Sequence, residues 1–143
     1  MSLLADILVA VPSDAQEICA DPERKRWPYV RYRSVDNLLL ADLVAALGAE
    51  TDAKALRGDA LVIHRETESG PWVFHLPDTL PTLLAKIADE KVPEVVEGWM
   101  QGEQLTSDMR APAEDVEQVV RELRDLSRQA VTVNKPLLLW LSL

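Results

Sequence analysis

A single cysteine, Cys19, in 143 residues excludes an intramolecular disulfide and any cysteine-rich zinc cluster. Histidine is nearly as scarce, with only His64 and His75. No H-E-x-x-H zincin pattern and no G-x-S-x-G nucleophile elbow occur. The five glycines stand apart, so no phosphate-cradling loop is present. Long hydrophobic runs are also missing. No window approaches the roughly 20 apolar residues a membrane helix needs. The apolar start "MSLLADILVAV" is broken by Asp6 and has no Lys or Arg ahead of it, which makes a poor signal peptide. Positive charge is short as well: 15 Lys and Arg face 24 Asp and Glu, for a net charge of −9. Phosphate binding needs clustered positive charge, so nucleic acid is not expected as a partner, and the lack of a membrane-length apolar run sets aside a membrane as well.

What remains is a globular composition, 48% hydrophobic and 27% charged, long enough for a core without covalent staples. We find no repeat and no linker, so residues 1–143 read as a single domain. A lone thiol suits a reducing, cytoplasmic setting. Nothing in the sequence requires a cofactor.

Residues 3–10 read as a buried strand ended by Pro12. Ser13, with Gln16 three residues on, predicts a capping box and a helix to about Ala20. Ala15, Ile18 and Cys19 share a face of it, which makes Cys19 a small buried residue rather than a nucleophile. Residues 21–33 read as irregular. Ser34 is the expected cap of a helix over "VDNLLLADLVAAL", which Gly48 ends, and a helical turn is expected over 52–57. Residues 60–77, "ALVIHRETESGPWVFHLP", predict a hairpin with Ser69 and Gly70 as a two-residue loop. Asp78 is expected to cap a further helix, and another follows over 93–101. The last helix starts at Pro112 and stops at Asn134, with Glu117, Arg121, Arg124, Asp125 and Arg128 as a solvated ladder. The closing "PLLLWLSL" shows no polar alternation, as in a strand covered on both faces. The fold class is α+β: a small mixed sheet, made of two terminal strands and a central hairpin, packed with about five helices.

Three groups of residues invite a functional reading. Trp27, Trp72, Trp99 and Trp140 are numerous beside one Phe, and the plain reading is core packing with each indole N–H partnered. Residues 23–33 form a basic-aromatic island. Arg24, Lys25, Arg26, Arg31 and Arg33 against Glu23 give it net +4, leaving −13 for the rest of the −9 chain, and Trp27, Tyr29 and Tyr32 are interleaved. Arg with aromatics suits an anion or an acidic partner. The competing reading is that these cations pair with the chain's own carboxylates. Finally, the two-residue loop would place His64 opposite His75, with Cβ atoms about 5 Å apart. Glu66 on the same face would be a third ligand for a divalent metal; the two histidines could equally act as an acid–base pair, and the plain reading is two half-exposed polar residues on a strand's solvent face.

The opening "ADILVA", "GPWVFHLP" (residues 70–77) and the closing helix with "KPLLLWLSL" resemble small uncharacterised bacterial proteins, loosely the YfbM-like family of unknown function. The resemblance implies a shared fold, no assigned activity and no functional residue to carry over. Residues 21–33 and 102–110 match nothing in it. The reading that follows is a non-enzymatic interaction or accessory protein with a protein partner. An immunity- or antitoxin-like role, in which an acidic domain masks a basic partner, is one form of it. The alternative is a small enzyme or ligand-binding protein with a cleft beside the 60–76 hairpin.

Overall fold

The computed structural model describes residues 3–21, 23–24, 26–33, 35–102 and 112–143. Five strands form one sheet: β1 (Leu4–Val9), β2 (Tyr29–Arg33), β3 (Val62–Arg65), β4 (Trp72–His75) and β5 (Leu137–Ser142). Their order is β2-β1-β5-β4-β3, and every neighbouring pair is antiparallel rather than mixed. The two terminal strands lie side by side in the middle, with Ile7 opposite Leu139. The described residues also hold six α-helices: α1 (Ala15–Ala20), α2 (Asn37–Ala46), α3 (Glu50–Arg57), α4 (Leu80–Ala85), α5 (Val92–Met100) and α6 (Ala113–Val133). The fold is α+β. No helix among the described residues is long and apolar enough to cross a membrane.

The sheet's two faces are covered unequally. Ala5, Ile7, Val9, Phe74, Leu137, Leu139 and Leu141 point to one side and pack in a large core with α2 to α6. The residues between them point to the other side. There Leu8, Val73 and Leu138 meet Ala15 and Ile18 of α1, Ala10 and Trp27 in a small second core, with Cys19 and Trp140 packed against it.

Several helix ends differ from expectation. Pro12–Asp14 form a 3₁₀ turn before α1, so Ser13 does not cap it; Asp14 Oδ2 instead accepts from the Val11 N–H at 3.3 Å. Ser34 lies outside the described residues, and α2 is capped by Asp36, which accepts from the Leu39 N–H at 2.9 Å. Asp78 does not cap α4; its carboxylate faces the His75 ring. Asn134 does stop α6, in a left-handed conformation at φ 55°.

Arg124 departs furthest from the solvated ladder. It is buried at 7% exposure, and its Nη1 donates to Asp89 Oδ1 at 2.6 Å. Arg128 donates to the Ala85 and Ile87 carbonyls, tying the end of α4 to α6. The Arg124 hydrogen bond and charge, with Arg121 adding to them, hold the Asp89 carboxyl below its ordinary 3.8. A carboxyl lowered in the folded state stabilises above its unfolded pKa. That stabilisation is lost as pH falls through the folded value, below about 4. In Arg124→Met the Asp89 side chain is expected to titrate nearer the ordinary carboxylate range, as a carboxyl NMR titration would read. An unmoved Asp89 titration would refute the pairing.

Candidate functional site at the thinly covered face

Strand register builds two rows across this face. One runs Arg31, Asp6, Trp140, Val73, His64, and the other Tyr29, Leu8, Leu138, His75. The basic-aromatic residues stand at one edge and both histidines stand toward the other.

At the first edge the cations turn inward. Asp6, fully buried in the middle of β1, accepts from Arg24 Nε at 3.0 Å and from Arg31 Nε and Nη2 at 2.7 and 2.9 Å. Arg24, also buried, donates to the Ile18 and Asp21 carbonyls and lies 4.5 Å above the Trp140 ring centroid. Among the described residues its Nη2 is buried without a hydrogen-bond partner, and the buried Trp140 indole N–H, which leans on the Cys19 thiol, makes no full hydrogen bond. Arg26 pairs with Glu17 and stacks over Trp27, which is buried and donates to Asp14 at 3.2 Å. Tyr32 points to the large core, where its OH donates to Glu122 at 3.0 Å. Burial, then the Glu122 charge, pushes the Tyr32 phenol far above its ordinary range. Tyr29 and Arg33 are exposed. Lys25 lies outside the described residues. The segment is thus half strand rather than irregular, and its cations Arg24, Arg26 and Arg31 are paired with the chain's own carboxylates.

At the other edge the hairpin register is not the expected one. His64 pairs with Val73 and Arg65 with Trp72, with a bulge at Ile63. The ladder continues through the Glu66 N–H to Pro71 carbonyl bond, so the loop is longer than two residues. Gly70 has φ +94°, and a Cβ there would come within 2.7 Å of the Trp72 ring. His64 and His75 therefore share a face but do not oppose one another. Each takes its own carboxylate instead: His64 Nε2 lies 2.7 Å from Glu66 Oε2, and His75 Nε2 lies 2.9 Å from Asp78 Oδ1.

The residue that joins His64 and Glu66 is Cys19, not His75. One ligating atom from each of Cys19, His64 and Glu66 lies within 4.8 Å of the other two. Cys19 is half-buried at the end of α1, over β3. Burial, then the Glu66 charge, raises its thiol pKa above the ordinary 9.0, while Arg24 and Trp140 oppose the shift. The alternate spacing of His64 and Glu66 was legible, because a strand puts such residues on one side. Cys19 lies 45 positions before His64, and only the packing of α1 on the second face brings it there.

Elsewhere, a groove of about 500 Å³ between α5 and α6 is lined by Pro93, Val96, Met100 and Glu117 and gathers no cluster of reactive groups among the described residues. No family model, no curated protein and no solved structure matches the chain.

Proposed function

We propose that this chain is a non-enzymatic, cytoplasmic accessory protein that binds a protein partner through the thinly covered face of its sheet. The observation that carries this is the pair of cross-strand rows. They gather tyrosine, arginine, tryptophan and histidine on a face that α1 and the Trp27 segment cover only at its centre. Tyr and Arg are the residues that interfaces favour. Because Arg24 and Arg31 are engaged by Asp6 and Arg26 by Glu17, the contact residues we assign are Tyr29 and Arg33. The arginine and tyrosine of this edge suit an acidic patch on the partner. The likeness to YfbM-like proteins adds a fold and no activity.

A photo-crosslinking residue at position 29, expressed in the native host, is expected to give a discrete heteromeric adduct. The same residue at the exposed Lys54 on α3 is expected to give none. Adducts of equal yield at both positions, or none at 29, would rule out this face. The ligand-binding alternative is favoured by a different observation, the convergence of Cys19, His64 and Glu66, and leads to a more specific inference.

A further inference from the structure

We infer that Cys19, His64 and Glu66 form a divalent-cation site of zinc type, built between α1 and the open edge of the β3–β4 hairpin. The argument starts from donor chemistry. A thiolate, an imidazole and a carboxylate are each ordinary zinc ligands, while the sulfur and nitrogen disfavour magnesium and calcium.

Geometry agrees. Tetrahedral zinc, with Zn–S near 2.3 Å and Zn–N and Zn–O near 2.0–2.2 Å, places its ligand atoms roughly 3.3–3.7 Å apart. Here the three atoms already lie within 4.8 Å of one another. The His64–Glu66 contact at 2.7 Å needs to open slightly, and the Cys19 sulfur needs to approach. The His64 and Glu66 side chains, 25% and 50% exposed, have the freedom to adjust. His64 and Glu66 come from one strand edge, held in place by the Glu66–Pro71 and Thr67–Gly70 bonds of the hairpin loop.

Electrostatics points the same way. An ionised Cys19 beside an ionised Glu66 places two negative charges together, and that repulsion contributes to keeping the thiol protonated. A dication between the two anions removes the repulsion, displaces the thiol proton and leaves the site neutral overall. Arg24, whose charge also favours the Cys19 thiolate, is itself neutralised by Asp6. Three protein ligands leave a fourth coordination position for water or a donor from outside.

Cobalt(II) is the probe, because a cobalt–thiolate bond gives a near-ultraviolet charge-transfer band and tetrahedral cobalt absorbs strongly in the visible. The full chain, kept reduced with a phosphine, is titrated with Co²⁺. We expect a saturable 1:1 spectrum of this kind, bleached by one equivalent of Zn²⁺. Cys19→Ser removes the charge-transfer band. His64→Ala and Glu66→Gln each weaken binding at least about tenfold, the smallest loss that even outer-shell changes produce. His75→Ala leaves it unchanged, which distinguishes this site from a histidine pair. Since His64 and Glu66 are partly exposed, both variants keep the fold, and circular dichroism melting verifies it. No charge-transfer band in the wild-type chain overturns the assignment. So does a band that persists at wild-type affinity in both His64→Ala and Glu66→Gln.

Discussion

Asp6→Ala is expected to remove about 3–5 kcal/mol of stability, a large share of the 5–15 kcal/mol that holds a domain of this size. Asp6 is the one charged residue inside β1, and it is fully buried. Its carboxylate is the acid partner of Arg24, which is also fully buried and cannot turn to water. Removing it strands a guanidinium that the Ile18 and Asp21 carbonyls and the Trp140 face only partly satisfy, and whose Nη2 is already without a partner. Arg31 is less affected, because its side chain is 40% exposed and can be hydrated. The double variant Asp6→Leu with Arg24→Met is therefore expected to recover most of the loss, since apolar pairs of similar volume commonly replace buried ion pairs at little cost. Urea denaturation with a shared slope gives both numbers. A single variant within about 1 kcal/mol of wild type would mean the pair is solvated in a way the structure does not show.

The same ion pair explains much of what the sequence hid. In the sequence Asp6 only interrupts an apolar run, and Arg24 and Arg31 belong to a charged segment that reads as irregular. Each sits where it does because of the other, 18 and 25 residues apart, and no local pattern carries that information. Strand β2 was missed for a related reason. Its outward Arg31 and Arg33 alternate with Val30 and Tyr32 over only five residues, beside a cluster of cations that dominates its composition. β1 and β5 were legible because both faces of each are covered, which leaves an apolar run unbroken in β5 and interrupted by Asp6 alone in β1. In the hairpin, strand identity was legible and register was not. The bulge at Ile63 and the left-handed Gly70 lengthen the loop, so the pairing of His64 moves from His75 to Val73. A shift of two residues keeps the same face, which is why His64 and Glu66 survive as a pair while His75 leaves it. Cys19 enters that site through tertiary packing alone. The charge ladder of α6 failed at Arg124 because α4 ends beneath it, and a helical period cannot reveal what stands opposite.

Deleting residues 136–143 is expected to abolish cooperative folding. β5 is the one strand that joins the two halves of the sheet, pairing with β1 on one side and β4 on the other. Without it the β3–β4 hairpin has no ladder to the β1–β2 pair, and β1 and β4 each gain an open edge. The packing loss alone is decisive. Leu137, Leu138 and Leu139 are fully buried and Leu141 nearly so. At about 1.5–3 kcal/mol for each buried leucine, four of them contribute roughly 6–12 kcal/mol, comparable to the whole stability of a domain. Both cores are opened at once, because Leu137, Leu139 and Leu141 belong to the large one and Leu138 to the small one. Point variants grade the effect. Leu139→Ala is expected to cost about 2–5 kcal/mol and Leu143→Ala, 66% exposed, within about 0.5 kcal/mol of nothing. The measurement is thermal unfolding followed by near-ultraviolet circular dichroism, which reports fixed tryptophan packing. A truncated chain that retains that signal and melts in one sharp transition within a few degrees of the full chain would show that the helices hold the fold without the central strand.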